Sequence, residues 1–153
     1  KTIGDNYMVV GGVRDPSSDS AEAVVEFAID VLNAIDQYAT QSGLPLRMRV
    51  GIATGAVVSG VIGTKVPAFD LWGDTVNLAS RLESEGSDNT IYVSEATYWR
   101  LQHRYEFEDK GELDFKGGIK ARAYILKGRK LLAQAPEIQV TETSQPPKLR
   151  SVE

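Results

Sequence analysis

Apolar residues in this chain recur at two different periods, and the alternation between those periods fixes the kind of fold it can build. Val24, Ala28, Val31, Leu32 and Ile35 fall at helical spacing, which predicts a helix with one apolar face. A few residues later Leu46, Met48, Val50 and Ile52 alternate with Arg47, Arg49 and Gly51, the period of a strand with one apolar face. Asp19, followed three residues on by Glu22, suits the helix start, and Ser42-Gly43 before Pro45 suits its end. A chain carrying both periods in turn buries its core between helices and a sheet.

The rest of the chain continues this pattern. Lys1-Thr2-Ile3-Gly4-Asp5 reads as the turn of a hairpin, and Tyr7-Met8-Val9-Val10 as a buried strand leaving it. A hairpin needs a strand before its turn, so the sequence is expected to be a fragment without its first elements. Val57-Val58 and Val61-Ile62 predict a strand with a bend at Ser59-Gly60. Gly73-Asp74-Thr75 opens a second helix to about Glu83, with Val76, Ala79 and Leu82 inward. Ile91-Tyr92-Val93 is a short strand, and Ser94 caps a short helix to about Leu101. Tyr105 to Phe115 and Ala123 to Lys127 read as closing strands. The expectation is one domain over 1–127, an α+β sandwich with the sheet on one side and helices on the other. Residues 128–153, with Gln134-Ala135-Pro136 and Ser144-Gln145-Pro146-Pro147, read as a tail or linker.

Composition removes several function classes. There is no cysteine, which excludes disulfides and thiolate metal sites, and one histidine, His103, which suits a surface or capping role. The formal charge of −4 argues against general nucleic-acid binding. No run of about 18 apolar residues offers a bilayer span, and no signal-peptide pattern opens the chain. Neither a P-loop nor a Gly-x-Gly-x-x-Gly fingerprint is present.

The most chemically loaded stretch is Asp74 to Arg81. Asn77 and Arg81 are four apart and project from one helix face, offering amide and guanidinium donors to a single ligand. They also fit a solvated outer face in which Arg81 pairs with Glu85. Asp70 is either a hydrogen-bonding anchor or a turn residue before the helix. Asp5 is either turn chemistry or a carboxylate presented to a divalent cation. Lys116, before Gly117-Gly118, sits either in a solvated turn or in a mobile loop that meets a ligand.

The order of these stretches resembles the class III nucleotide cyclases. The resemblance is carried by Lys1-Thr2-Ile3-Gly4-Asp5, then Arg49-Val50-Gly51-Ile52-Ala53-Thr54-Gly55, then Phe69-Asp70-Leu71-Trp72-Gly73-Asp74-Thr75-Val76-Asn77-Leu78-Ala79-Ser80-Arg81, and finally Phe115-Lys116-Gly117. It covers roughly residues 1–127, and its specific part is the block 69–81. It implies the family's ferredoxin-like sandwich, here lacking its first strand and helices. It also implies conversion of ATP to cyclic AMP and pyrophosphate at a head-to-tail homodimer interface, in the cytoplasm, with no nucleic-acid or membrane partner for this segment; the alternatives are a non-catalytic nucleotide-binding or dimerising cyclase-like signalling domain, or a guanylate cyclase.

The resemblance also implies residue roles. Asp5 matches a metal aspartate that shares two Mg²⁺ or Mn²⁺ ions per active site. Lys1 and Asp70 match the purine-selecting pair: an ammonium donates to adenine N1, and a carboxylate accepts from the N6 amine. Guanine presents the opposite pattern, and guanylate cyclases of the family usually carry glutamate and a cysteine-like small residue instead. Asn77 matches the ribose-orienting residue and Arg81 the one that stabilises charge on the reacting phosphate. Arg49 and Lys116 match residues that hold the β- and γ-phosphates. Because one chain carries both metal-side and purine-side residues, a symmetric homodimer with two sites is implied. Two departures stand out. The family's other metal aspartate belongs upstream of Lys1, so the chain alone is expected to be inactive, and Ala53 replaces a histidine common in relatives.

Overall fold

A computed structural model describes residues 1–13, 20–63 and 67–131, which form eight strands and three helices. In chain order these are β1 (Thr2–Ile3), β2 (Asn6–Tyr7), α1 (Ser20–Ser42), β3 (Arg49–Ile52), β4 (Val58–Ile62), β5 (Ala68–Trp72), α2 (Asp74–Glu85), β6 (Thr90–Ser94), α3 (Glu95–Leu101), β7 (Tyr105–Phe115) and β8 (Ile119–Arg129). The main sheet has the order β3-β6-β8-β7, with β3 parallel to β6 and the other pairs antiparallel. Two separate hairpins, β1-β2 and β4-β5, complete the architecture.

The α+β class agrees with the sequence, but the layering does not. Helices were expected on one side of the sheet; they cover both. On one face Val25 and Ala28 of α1 and Leu101 of α3 pack against Ile52, Ile91, Val93, Tyr124 and Leu126. On the other face Leu82 of α2 packs against Tyr92, Phe115, Ala123 and Ile125. The reason is legible afterwards in β6 and β8, whose apolar runs are continuous because both faces are covered.

Local signals explain most boundaries. Gly43, at φ 70°, ends α1. The Ser94 hydroxyl accepts from the Thr97 amide and caps α3. At its far end α1 is tied to the sheet by charge: Tyr105 and Arg129 both donate to Glu26, and Arg104 pairs with Glu22. These bonds, Arg129 first and then Tyr105, hold the Glu26 carboxyl below the usual range. Burial, then the Glu26 carboxylate, pushes the Tyr105 phenol well above its ordinary value.

Three expectations are corrected. Tyr7 to Val10 is not a buried strand: β2 ends at Tyr7, and Tyr7, Val9 and Val10 are exposed. The β1-β2 hairpin pairs only with itself among the described residues, so nothing covers that run. The strand expected from Leu46 begins at Arg49, because Met48 instead pairs with the Asn89 side chain and amide. Finally, β8 continues through Gly128 and Arg129, paired with Glu106 and Tyr105, past the boundary expected at 127. Asp19 and the tail beyond residue 131 lie outside the described residues.

At Gly51 the backbone of α2 lies directly against β3. A Cβ built on Gly51 would stand 2.1 Å from the Ala79 carbonyl oxygen and 2.4 Å from the Glu83 nitrogen. Both are backbone atoms of a helix and cannot swing aside. Gly51→Ala should therefore destabilise the domain by about 3 kcal/mol, at the upper end of overpacking costs. Urea unfolding of the variant beside the parent checks this.

Candidate functional site

The β1-β2 hairpin brings Lys1 to the middle of β5. Main-chain bonds between Lys1 and Met8, at 2.7 and 2.9 Å, close the hairpin's open end. From there Lys1 Nζ donates to Asp70 Oδ2 at 2.6 Å. Asp70 is the central residue of β5 and faces Gly60 of β4 across the hairpin. Its second oxygen, Oδ1, accepts from the Leu71 amide at 2.9 Å. Asp70 is thus a hydrogen-bonded anchor on a strand rather than a turn residue. The Lys1 ammonium, followed by the Leu71 N–H, holds the Asp70 carboxyl below the usual carboxylate range.

These two residues line a cavity of about 270 Å³, together with Ile3, Met8, Leu71, Trp72, Val76 and Asn77. Ligand pockets typically measure about 300–1,000 Å³, so this one suits part of a larger ligand, an apolar slot with polar groups at its wall. Asn77 reaches it from the first turn of α2. The helix start is fixed by the Thr75 hydroxyl, which donates to the Ala56 carbonyl at 2.7 Å.

Arg81 lies one turn beyond Asn77 and forms no pair with Glu85. Among the described residues the side chains of Asp5, Asn77, Arg81 and Lys116 have no hydrogen-bond or ion-pair partner, which leaves their polar atoms open to a ligand. Lys116 sits in the β7-β8 turn, next to Phe115, which packs with Leu82 of α2. Gly117 and Gly118 both adopt positive φ there, at 98° and 73°.

The structure does not gather every expected residue on one side. Arg49, at the start of β3, donates through Nε to Glu83 Oε1 at 2.9 Å, and its Nη2 lies 2.9 Å from the same oxygen as an ion pair. Glu83 and Arg81 are two positions apart on α2, or about 200° around its axis. Arg49 therefore faces away from Asn77 and Arg81. Asp5 stands at the tip of the hairpin whose base holds Lys1, roughly 10 Å further along at strand rise. It is exposed, and no group of three or more His, Cys, Asp or Glu that could hold a metal exists among the described residues. A lone exposed carboxylate fits a hard ion such as Mg²⁺, which takes one or two carboxylates and fills its shell with phosphate oxygens and water.

Sequence reasoning missed Glu83 and the apolar lining. The Glu83 signal was its place on α2 facing Arg49, which becomes visible only once β3 and α2 are known to touch. Trp72 and Met8 carried no signal beyond their apolar character.

The site thus sets a polar pair in the wall of a partly apolar slot, beside a helix bearing amide and guanidinium donors. The chain belongs to the adenylate and guanylate cyclase catalytic domain family, whose model matches residues 1–128. An adenylate cyclase of Mycobacterium tuberculosis is 41% identical over 93% of this chain. A guanylate cyclase soluble subunit beta-2 of Rattus norvegicus is also 41% identical, over 82% of the chain. The chain spans 32% and 19% of those two relatives' lengths. Among solved structures, the guanylate cyclase domain of RhGC from Catenaria anguillulae, in complex with GTP, superposes with a TM-score of 0.79. That match has 35% identity and covers 85% of this chain and 71% of that one. The domain is thus a class III nucleotide cyclase domain, with relatives of both purine preferences.

The Asp70 titration offers a check on the cavity. Because its folded-state pKa is depressed, the pair is intact above the ordinary aspartate range. Its contribution is lost only as pH falls through the lower folded value. Carboxyl-detected NMR should show Asp70 titrating below the ordinary value of about 3.9, and Lys1→Met should move that midpoint upward.

Proposed function

We propose that this domain belongs to an adenylate cyclase, converting ATP to cyclic AMP and pyrophosphate. The observation that carries the reading is the Lys1–Asp70 pair set in the wall of an apolar slot beside Asn77. A purine base placed in the slot meets an ammonium donor for adenine N1 and a carboxylate acceptor for the N6 amine. Guanine reverses both partners and would set donor against donor and acceptor against acceptor in the slot.

The ribose 3′-oxygen attacks the α-phosphorus in line. The bond to pyrophosphate breaks, and the hydroxyl proton is released. The nucleophile belongs to the substrate, so the protein's work is positioning and charge stabilisation. Asn77, one turn before Arg81, orients the ribose; Arg81 meets the charge that grows on the α-phosphate. Lys116 and Arg49 hold the β- and γ-phosphates. Asp5 would hold Mg²⁺ or Mn²⁺, which when bound supplies Lewis-acid polarisation of phosphate and hydroxyl oxygens. ATP as substrate makes the cytoplasm the expected location, and no helix among the described residues is long and apolar enough to cross a membrane.

A head-to-tail homodimer is part of the proposal. Arg49 and Arg81 lie on opposite sides of α2, and Asp5 and Lys1 at opposite ends of one hairpin. In a head-to-tail dimer Asp5 and Arg49 of one chain would complete the site begun by Lys1, Asp70 and Asn77 of the other. The β4-β5 hairpin supports this, since Val61, Val58, Phe69 and Ile62 are each more than half exposed, at 68%, 65%, 55% and 53%. Val61 and its cross-strand neighbour Phe69 share one face of the hairpin and Val58 and Ile62 the other, so both faces carry apolar side chains of the kind a partner covers.

Two outcomes test the reading in the full-length gene product. With Mn²⁺, ATP should yield cyclic AMP and GTP little product; Lys1→Glu with Asp70→Cys should shift relative kcat/KM toward GTP by on the order of 10³-fold. Unchanged base preference in that variant refutes the pairing scheme, and preferential use of GTP by the parent makes it a guanylate cyclase. Val61→Asp with Phe69→Asp should give a monomer by light scattering and lower activity by about 10²-fold or more.

A further inference from the structure

The Arg49–Glu83 contact falls outside every role given above, and its geometry is specific. Glu83 Oε1 accepts from Arg49 Nε at 2.9 Å and lies 2.9 Å from Nη2 as an ion pair, which engages the Nε side of the guanidinium and leaves Nη1 without a partner among the described residues. Arg49 is 45% exposed and Glu83 23%. Pairs this open to water contribute little to stability, so holding the fold together is a weak account of the contact.

Its support is unusually rigid. The Glu83 backbone is pressed onto β3 at Gly51, two residues from Arg49, where no side chain fits. The other carboxylate oxygen, Oε2, accepts from Ser84 Oγ at 3.2 Å. A carboxylate anchored on one element thus fixes the rotation of a guanidinium carried by another, in a direction away from the Lys1 cavity of the same chain.

We propose that Glu83 is a positioning residue for Arg49. It holds the Nε edge of the guanidinium so that the Nη1 edge is presented, already oriented, to the terminal phosphates of a nucleotide. This rests on the triphosphate role proposed for Arg49. A freely rotating arginine would lose side-chain freedom on each binding event, whereas one clamped by Glu83 has lost it already. The contact should therefore be felt in the affinity for the polyphosphate and little in the rate of the chemical step.

The test uses the full-length gene product carrying Glu83→Ala, Glu83→Gln, Arg49→Ala, or Arg49→Ala with Glu83→Ala. It reads kcat, the nucleotide KM and the inhibition constant of inorganic pyrophosphate. KM and the inhibition constant do not depend on the fraction of enzyme folded, so a purely structural role would not move them. Glu83→Ala should raise both roughly tenfold, the size of one charge-assisted hydrogen bond, with kcat little changed. Glu83→Gln, which keeps the accepting oxygen, should fold like the parent and recover most of the affinity. The double variant should be no worse than Arg49→Ala alone. Unchanged constants in Glu83→Ala, or additive effects in the double variant, overturn the proposal. Falling constants overturn it as well, since Glu83 would then be a competitor that phosphate must displace. A parent protein that cyclises no nucleotide defeats the underlying reading, whereas an active parent with an Arg49 effect and no Glu83 effect defeats only this inference.

Discussion

The near-contact of α2 with β3 at Gly51 is the constraint on which the rest of the domain depends. It places the Ala79 carbonyl and the Glu83 amide where any side chain on Gly51 would be. Leu82, fully buried, fills the adjacent space against Tyr92, Phe115 and Ala123. A helix held this closely cannot rotate without expelling Leu82, so every polar residue it carries has a set bearing. Asn77 points to the slot, Arg81 follows one turn on, and Glu83 reaches back to Arg49. The Thr75–Ala56 bond fixes the other end of the same helix, and Gly55 leaves just enough room for that threonine.

Around this helix the charged groups divide into two kinds. Lys1 with Asp70, and Arg49 with Glu83, form ion pairs. Asp5, Asn77, Arg81 and Lys116 do not. Paired groups have fixed orientation, which suits reading a rigid base or presenting a fork to phosphate. Unpaired groups keep their full donor capacity for charge that develops during a reaction. Distant from both, the Glu22/Glu26 carboxylates with Arg104, Arg129 and Tyr105 fasten α1 to the β7-β8 end of the sheet, where they leave the slot undisturbed.

Much of the fold was legible because local chemistry and periodicity agreed. The Ser94 cap, the Gly43 stop and the bounds of β7 stand where the sequence put them. Errors arose where pairing decides the outcome. Tyr7 to Val10 has strand composition but no neighbour among the described residues, and Leu46 and Met48 alternate correctly while Met48 bonds to Asn89 instead. Phe69 to Trp72 gave no period long enough to announce β5, yet it becomes a strand because β4 lies beside it.

What the sequence determined by itself was the class of fold and the family, together with a set of candidate site residues, since motif order and residue type survive without coordinates. Tertiary structure alone decided which of those residues share a site. It put Lys1 on Asp70, 69 positions away, and turned Arg49 away from Arg81 onto Glu83. It also placed α2 across the sheet from α1 and α3. The reason is physical: periodicity records which face of an element is buried, but not which neighbour buries it. That choice was made here by a glycine small enough to let a helix touch a strand.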